Sequence, residues 1–147
     1  MTVPHPVWTM PVVLRSTMFA ARLEALHALR AFLESFCAQA AIDRDGCLRL
    51  NLVLEELFTN TVRHGHRGDS EAPVWVSLAT SQDGRVAVSY EDTAPPFNPY
   101  GRASPDTTQE IGTLGGRGVL LLQRLSATRD YAYLYGRNCV RLALNVD

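Results

Sequence analysis

The chain has 147 residues, of which 46% are hydrophobic, and its formal net charge is -1. This length and composition are typical of one ordinary domain, residues 1–147, that buries ~70% of its unfolded surface. The balanced charge gives no general attraction to nucleic acid or to a membrane surface, and no apolar run approaches the length of about eighteen residues that a membrane span needs. We therefore expect a cytoplasmic protein with neither nucleic acid nor membrane as a direct partner.

The basic residues and the cysteines exclude several kinds of site. All 14 basic residues are arginine, because the sequence contains no lysine. A Walker A phosphate loop, a Hanks-type protein kinase with its strand lysine, and Schiff-base chemistry all require that missing residue. The cysteines form no CxxC pair, which favours small buried thiols over a zinc site or a disulfide framework. These three cysteines are Cys37, Cys47 and Cys139.

Two elements are predicted in the first forty residues. Val12, Val13 and Leu14 follow a proline-bearing segment and indicate a short edge strand. Residues 17–40 carry apolar side chains at three- and four-residue spacings, which predicts one long amphipathic helix. Those side chains are Phe19, Leu23, Leu26, Leu29, Leu33 and Phe36. The polar segment 43–46 then ends this helix, and Asp43 or Asp45 is a suitable N-cap for the next one.

Residues 48–66 have the apolar periodicity of an amphipathic helix with a buried stripe. Glu56, Asn60 and His64 are spaced four apart, so that each lies roughly 6 Å above the last on nearly one face. Carboxylate and amide oxygens on a rigid helix suit Mg²⁺ that is also bound by a substrate's phosphates. The carboxylate could instead take a proton from a hydroxyl or water, and a solvated polar strip on a core helix has the same spacing.

A β-hairpin follows this helix. Residues 74–79 and 86–90 alternate between apolar and small or polar side chains, and Asp83-Gly84 between them is a typical hairpin turn. The second strand leads to Asp92, after which the prolines of residues 95–99 prevent the continuation of a central strand. An acidic residue is therefore predicted at the end of a strand.

The remaining residues predict a long loop, a third helix and a second hairpin. Residues 100–114 are rich in Gly, Ser, Pro, Thr and Asp, and loops of this length tend to be functional lids or disordered. Residues 115–118, Gly-Gly-Arg-Gly, open directly into an apolar helix over residues 119–125. Glycines at a helix N-terminus bind phosphate through backbone N–H groups, although they also serve ordinary turns. Residues 130–135 and 139–146 form the final hairpin, with residues 136–138 as its turn.

These motifs, in this order, resemble a known family. The chain carries E-x-x-x-N on a helix (Glu56, Asn60), D-x-A-P-P-F-N-P at a strand end (residues 92–99), a lid-like loop, and G-G-R-G entering a helix. It resembles the GHKL ATPases and, among them, the stand-alone anti-sigma factor serine/threonine kinases of partner-switching circuits. The resemblance implies the Bergerat fold, an α/β (α+β) two-layer sandwich. A mixed, mostly antiparallel sheet packs on about three helices in this fold, and ATP lies between the helices and the lid.

The resemblance also implies a role for individual residues. Asn60 matches the family's Mg²⁺ ligand, and Glu56 matches the acidic residue that activates the attacking hydroxyl or water. Asp92 matches the aspartate that accepts a hydrogen bond from the adenine amino group. His64 matches a position next to the site. The other residues implied to contact the nucleotide are Ala94, Arg102, Gly115, Gly116, Arg117 and Gly118. Arg102 or Arg117 would neutralise phosphate charge, and the backbones of Gly116 and Gly118 would face the phosphates.

Three departures from the family pattern bear on nucleotide affinity and catalysis. Ala94 stands where relatives have a glycine, which adds a methyl group near the base. Pro95 and Pro96 stand where some relatives have further glycines, and proline stiffens the loop. Arg117 replaces a small or apolar residue between the glycines. We expect nucleotide binding to persist and catalysis to be weaker.

The implied function is phosphoryl transfer from Mg-ATP to a serine or threonine of an anti-sigma-factor antagonist, by a protein that also sequesters a sigma factor. A homodimer through the N-terminal strand and first helix is expected on the same ground. One alternative is a nucleotide-dependent binding module that holds its partner without phosphorylating it. Another is the detached catalytic domain of a histidine kinase, although no dimerisation helix with a phosphoacceptor histidine is evident.

Overall fold

The structure, a computed structural model, describes residues 11–101 and 116–146. Within them one five-stranded sheet has the order β1-β2-β3-β5-β4, and every neighbouring pair is antiparallel. The strands are β1 Leu14–Ala20, β2 Pro73–Thr80, β3 Arg85–Asp92, β4 Ser126–Leu134 and β5 Arg137–Asn145. The α-helices of the described residues are α1 Leu26–Gln39, α2 Arg44–Asn60 and α3 Gly116–Leu125. This is the α+β two-layer fold, with a sheet packed on three helices, that the resemblance implies, although the strands of the described residues form a wholly antiparallel sheet and not a mixed one.

The helices cover one face of the sheet. Side chains on β2, β3 and β5 alternate between buried and more exposed positions, as expected for a sheet with one covered face. The buried residues of the strands and helices form one apolar cluster. Its largest fully buried side chains include Leu29, Leu33, Phe36, Leu50, Leu54, Phe58, Leu78 and Leu144. The apolar periodicities of the sequence therefore identify the packed faces of α1, α2, β2 and β3 correctly.

The predictions for the first forty residues need correction. The first strand runs from Leu14 to Ala20, and a 3₁₀ turn at Leu23–Ala25 precedes α1, so a helix beginning near residue 17 is wrong. Phe19 and Leu23 pack against the same apolar core from a strand and from a turn. Their three- and four-residue spacing therefore indicates burial, but it does not distinguish a helix from these two elements.

Helix α2 begins at a cap and ends at a change of helical geometry. The Asp43 carboxylate accepts a hydrogen bond from Gly46 N at 2.8 Å, which confirms one of the two predicted N-caps. The α-helix ends at Asn60, and residues Thr61–Gly65 form a π turn in which His66 N donates to Thr61 O at 2.9 Å. His64 therefore lies in this π turn and not in the α-helix that carries Glu56 and Asn60. The α-helical prediction is therefore wrong beyond Asn60.

Both predicted hairpins are present, with changed boundaries: β4 begins at Ser126, four residues before the predicted residue 130, and β5 covers Arg137–Asn145 in place of the predicted residues 139–146. The β2–β3 hairpin turns at Gly84, whose φ is +77°. The β4–β5 hairpin turns at Tyr135 and Gly136, with φ of +53° and +76°, one position earlier than predicted. Because of this shift, Asn138 belongs to β5, where it pairs with Asp92 of β3. This pairing brings an amide beside the predicted strand-end carboxylate.

None of the helices within residues 11–101 and 116–146 has both the length and the apolar character needed to cross a membrane.

Candidate functional site

The end of α2 and the end of β3 meet at one cavity. Asn60 and Asp92 both line it, and both are buried, with 7% and 6% of their surface exposed. The other lining residues are Leu57, Thr61, Gly65, Tyr90, Ala94, Phe97, Pro99, Asn138 and Val140. The amide and the carboxylate that sequence reasoning singled out therefore face the same space from two different elements.

The Asp92 carboxylate is hydrogen-bonded by the protein itself. Its Oδ2 accepts from Thr61 Oγ1 at 2.6 Å. Its Oδ1 accepts from Asn138 Nδ2 at 2.8 Å and from Ala94 N at 3.1 Å. A carboxylate offers about four acceptor positions, so these three donors leave one position, on Oδ2. Asp92 thus joins three segments of the chain and can still accept one further N–H.

A buried tyrosine extends this network into the core. The Tyr90 hydroxyl lies 2.6 Å from Thr61 Oγ1, which also lies 3.1 Å from the carbonyl oxygen of Leu57. Since the Thr61 hydroxyl has one proton and its charged partner is Asp92, the Tyr90 hydroxyl is the donor to Thr61. Burial raises the pKa of Tyr90 well above its ordinary value, and the negative charge of Asp92 raises it further. Tyr90 therefore remains a neutral donor.

Asn138 holds the segment that follows Asp92. It is 3% exposed, and its Nδ2 lies 3.0 Å from Ala94 O and 3.1 Å from Pro95 O. Its Oδ1 accepts from Phe97 N at 2.9 Å and from the Tyr131 hydroxyl. The amide therefore fastens residues 94–97 to β5.

Sequence reasoning missed Asn138, Thr61 and Tyr90. Asn138 fell in a predicted turn, and the signal that could have corrected this is Tyr135-Gly136 as the hairpin turn. Thr61 directly follows Asn60, and Tyr90 lies two residues before Asp92 on the same face of β3. Their positions beside two predicted site residues were the available signal.

The first turn of α3 lies against Glu56. A Cβ added at Gly118 would collide with the Glu56 carboxylate, so only glycine fits there without a shift. Gly116 and Arg117 lie in the same turn of the helix. Glu56 itself is half-buried and lies one helical turn before Asn60. The predicted catalytic carboxylate and the predicted glycine turn are therefore neighbours.

The remaining predicted site residues are distributed as follows. Ala94 is buried, and a Cβ added at Gly65 would lie 2.7 Å from its methyl carbon, so the two residues are in close approach. His64 is half-buried in the π turn. Arg102 and Gly115 lie outside the described residues.

The polar groups of the cavity fit parts of Mg-ATP. The open acceptor position on Asp92 suits a single amino N–H, as adenine presents at its 6-position. The Asn60 amide oxygen is a hard ligand of the kind that Mg²⁺ takes in addition to phosphates and waters. No cluster of three His, Cys, Asp or Glu side chains suited to hold a metal by itself occurs in residues 11–101 and 116–146. A metal here would therefore depend on ligands from the nucleotide.

The size of the cavity sets a condition on binding. Its volume is about 20 Å³, which is room for about one water molecule. A purine enters only if the cavity widens. Phe97 and Pro99 form part of its wall, and they belong to the segment that Asn138 fastens to β5.

The cavity joins a helix-end amide to a strand-end carboxylate on an antiparallel sheet covered by helices, which is the arrangement that the resemblance to the GHKL ATPases implies. Residues 19–144 match the family described as Histidine kinase-like ATPase domain, and the chain belongs to that family. The predicted resemblance to the GHKL ATPases is thereby confirmed.

A solved structure has a similar fold. It is the crystal structure of the RsbU and RsbW domains of Rv1364c from Mycobacterium tuberculosis, with a TM-score of 0.66 and 19% sequence identity. The match covers 92% of this chain and 33% of that one, so this chain spans about a third of the solved protein's length. No curated protein gives a significant match.

Proposed function

We propose that this chain is an ATP-binding anti-sigma factor with serine/threonine protein kinase activity, which phosphorylates an anti-sigma-factor antagonist in a partner-switching circuit. The observation that carries the proposal is the shared cavity of Asn60 and Asp92, beside which Glu56 lies against Gly118. Membership of the histidine kinase-like ATPase family supports ATP as the nucleotide.

Nucleotide binding would use the two ends of this site. At one end the open position on Asp92 would accept an N–H of the adenine amino group, beside Ala94. At the other end Asn60 would hold Mg²⁺, which supplies charge neutralisation to the phosphates when bound. The backbone around Gly115, Gly116 and Gly118 would donate to phosphate oxygens at the start of α3. Arg102 and Arg117 would add positive charge.

Phosphoryl transfer would use Glu56 as the proton acceptor. The hydroxyl oxygen of a partner serine or threonine forms a bond to the γ-phosphorus, while the bond from that phosphorus to the β,γ-bridging oxygen breaks and ADP leaves. The hydroxyl proton passes to the Glu56 carboxylate. Positioning of the two reactants contributes most of the rate. Glu56 is half-buried, so part of this residue is open to an approaching partner.

The proposed partners are a sigma factor and its antagonist protein, and the proposed assembly is a homodimer. The fold similarity to a structure with an RsbW domain supports this assignment. The sheet supports the homodimer through β1, an edge strand on which Leu14 and Met18 are 64% and 61% exposed. A single domain over residues 1–147 stays a prediction.

One observation favours a second candidate, a nucleotide-dependent binding module that does not phosphorylate its partner. Arg117 stands between the glycines where relatives have a small or apolar residue, and this departure is expected to weaken catalysis while nucleotide binding persists. A detached histidine-kinase catalytic domain is a third candidate, which the family match supports equally.

Two measurements separate these candidates. Mg-ATP is expected to raise the melting temperature, because a ligand that binds only the folded state stabilises it. Incubation with γ-labelled Mg-ATP and candidate antagonist proteins is expected to place label on a partner serine or threonine. A rise in melting temperature without transfer would favour the binding module, and label on a histidine would favour the histidine-kinase domain. If neither Mg-ATP nor Mg-ADP changes the melting temperature, the proposal of a nucleotide site is wrong.

A further inference from the structure

We propose that Asn138 determines which purine the site accepts, because it occupies an acceptor position of Asp92 that guanine would need. This inference rests on the proposed function, in which a base binds at Asp92. It assigns base selectivity to an internal hydrogen bond of the protein.

The distribution of donors around Asp92 is uneven. Both acceptor positions of Oδ1 are filled, by Asn138 Nδ2 at 2.8 Å and by Ala94 N at 3.1 Å. One position of Oδ2 is filled, by Thr61 Oγ1 at 2.6 Å. Asp92 can therefore accept one N–H from a ligand, through Oδ2, but it cannot accept two N–H groups side by side.

Adenine and guanine present different donors to such a carboxylate. Adenine has one amino group, at its 6-position, and needs a single acceptor. Guanine has N1–H and the 2-amino group next to each other, and this pair matches both oxygens of a carboxylate. Because Oδ1 is filled, one of the two guanine donors would be buried without an acceptor. A buried N–H group without a partner weakens binding, so guanine is expected to bind less tightly than adenine.

The hydrogen bonds of Asn138 fix the orientation of its amide. Asp92 Oδ1, Ala94 O and Pro95 O are acceptors and surround the nitrogen. Phe97 N and the Tyr131 hydroxyl are donors and surround the oxygen. A flipped amide would oppose all of these contacts, so Asn138 must present N–H to Asp92.

The closed state of the cavity does not affect this argument. Either purine needs the cavity of about 20 Å³ to widen, and the cost of widening is common to both. It therefore cancels in a ratio of two dissociation constants.

In the first experiment, calorimetry measures the dissociation constants of four nucleotides for the unaltered protein in the presence of Mg²⁺. The nucleotides are ATP, purine riboside triphosphate, ITP and GTP. Purine riboside triphosphate lacks the amino group, ITP has N1–H alone, and GTP has N1–H with the 2-amino group. ATP is expected to bind at least about tenfold more tightly than GTP, the value of one hydrogen bond. GTP and ITP are expected to bind within threefold of each other, or both below detection. GTP binding more than threefold more tightly than ITP would overturn the proposal.

The second experiment uses two variants of the same network. Asn138→Leu frees one acceptor position on Oδ1 of Asp92, and one position on Oδ2 is already open. The affinity for GTP relative to that for ITP is therefore expected to rise about tenfold. Thr61→Val frees a second position on Oδ2 only, so it is expected to leave the GTP-to-ITP ratio unchanged. Asn145→Leu, on the same strand and exposed, is the control for the loss of an amide. An unchanged ratio in folded Asn138→Leu overturns the proposal; if this variant does not fold, the four-nucleotide series decides.

The same series distinguishes failure of the inference from failure of the proposed function. If ATP does not bind, or binds no more tightly than purine riboside triphosphate, Asp92 does not recognise the amino group and the proposed site is wrong. If ATP binds more tightly than purine riboside triphosphate but GTP also binds more than threefold more tightly than ITP, the proposed nucleotide site is supported and only the role of Asn138 is wrong.

Discussion

The two carboxylates of the candidate site differ in how far the fold depends on them. Asp92 is buried and accepts hydrogen bonds from Thr61, Asn138 and Ala94, residues of a helix end, a strand and a loop. Glu56 is half-buried on α2. Its described neighbour is the backbone of Gly118.

The part of the site at Asp92, where the base is proposed to bind, therefore differs in construction from the part at Glu56, where phosphoryl transfer is proposed. These two parts are called the base end and the transfer end. The carboxylate proposed for base recognition also joins three segments of the fold, so a change there affects stability and binding together. The carboxylate proposed for proton transfer is half-buried, and its replacement by an amide of the same shape is expected to affect the reaction more than the stability. The following predictions test this contrast.

The largest effect is expected at the transfer end. Glu56→Gln keeps the shape of the side chain but removes the proton acceptor, which is expected to reduce phosphoryl transfer about 10²–10⁴-fold. The rise in melting temperature with Mg-ATP is expected to stay within a degree or so of the unaltered protein's, since the substitution leaves the base contact intact. Label transfer and thermal unfolding measure the two quantities.

Glu55→Gln is the matched control, one residue away on α2. Glu55 pairs with Arg30, an ion pair on the surface, and it is expected to be neutral for transfer. Equal transfer by Glu56→Gln and the unaltered chain would remove Glu56 from the proposed mechanism.

The next effect is expected at the base end, on two properties together. Asp92→Asn replaces an acceptor oxygen by an N–H group among three donors, which is expected to lower the free energy of unfolding by about 1–3 kcal/mol. It is also expected to abolish the rise in melting temperature with Mg-ATP. Urea unfolding and melting curves measure these changes, and Asp130→Asn, at an exposed position of β4, is the control. Retention of the Mg-ATP response in Asp92→Asn would show that the base is recognised elsewhere.

The third prediction concerns alkaline pH and the buried end of the network. In the unfolded chain a tyrosine ionises near its ordinary pKa of about 10, whereas burial, reinforced by the charge of Asp92, raises the pKa of folded Tyr90 well above that value. The folded state therefore keeps a proton that the unfolded state loses. The contribution of Tyr90 to the free energy of unfolding is therefore fully present below pH 10. Above pH 10 the free energy of unfolding is expected to fall by about 1.4 kcal/mol per pH unit because of this residue.

Tyr90→Phe is expected to remove this contribution to the slope of the free energy of unfolding against pH. Burial also raises the pKa of Tyr100, to about 12, so a residual slope of the same sign stays in the variant. Urea unfolding between pH 8 and 11 measures the slopes, with Tyr135→Phe at a fully exposed position as control. Identical slopes for Tyr90→Phe and the unaltered protein would contradict the buried network.

The smallest effect concerns the contact between Glu56 and α3. Alanine is a better helix former than glycine by up to about 1 kcal/mol, but a methyl group at Gly118 would collide with the Glu56 carboxylate. Gly118→Ala is therefore expected to stabilise the chain by up to about 1 kcal/mol in a Glu56→Ala background and to give no such gain with Glu56 present. Urea unfolding of the four chains measures this coupling, and equal effects in both backgrounds would mean that the two residues are not in contact.

Much of the fold follows from local patterns. The apolar spacings predict α1 and α2, and the turn residues Asp83-Gly84 predict the first hairpin. The start of the chain was not predictable in the same way, because Phe19 in β1 and Leu23 in a turn fit a helical spacing. Apolar spacing reports burial, and several local structures satisfy the same spacing.

The candidate site was predictable only in part. Glu56, Asn60 and Asp92 are visible in the sequence because their residue types and positions fit a known arrangement. His64 shares the four-residue spacing, but it lies in the π turn at Thr61–Gly65 and not in the α-helix of Glu56 and Asn60. No local pattern indicates this change of helical geometry.

Local sequence patterns are enough to predict the helices, the hairpins and the acidic strand end, because propensity, turn chemistry and apolar periodicity act over a few neighbouring residues. The tertiary structure alone decided that Asn138 pairs with Asp92, that the Thr61 hydroxyl reaches the same carboxylate, and that Gly118 lies against Glu56. These contacts depend on strand register and helix packing, which join residues 31 to 62 positions apart in the chain. Such distances lie beyond the reach of any local pattern.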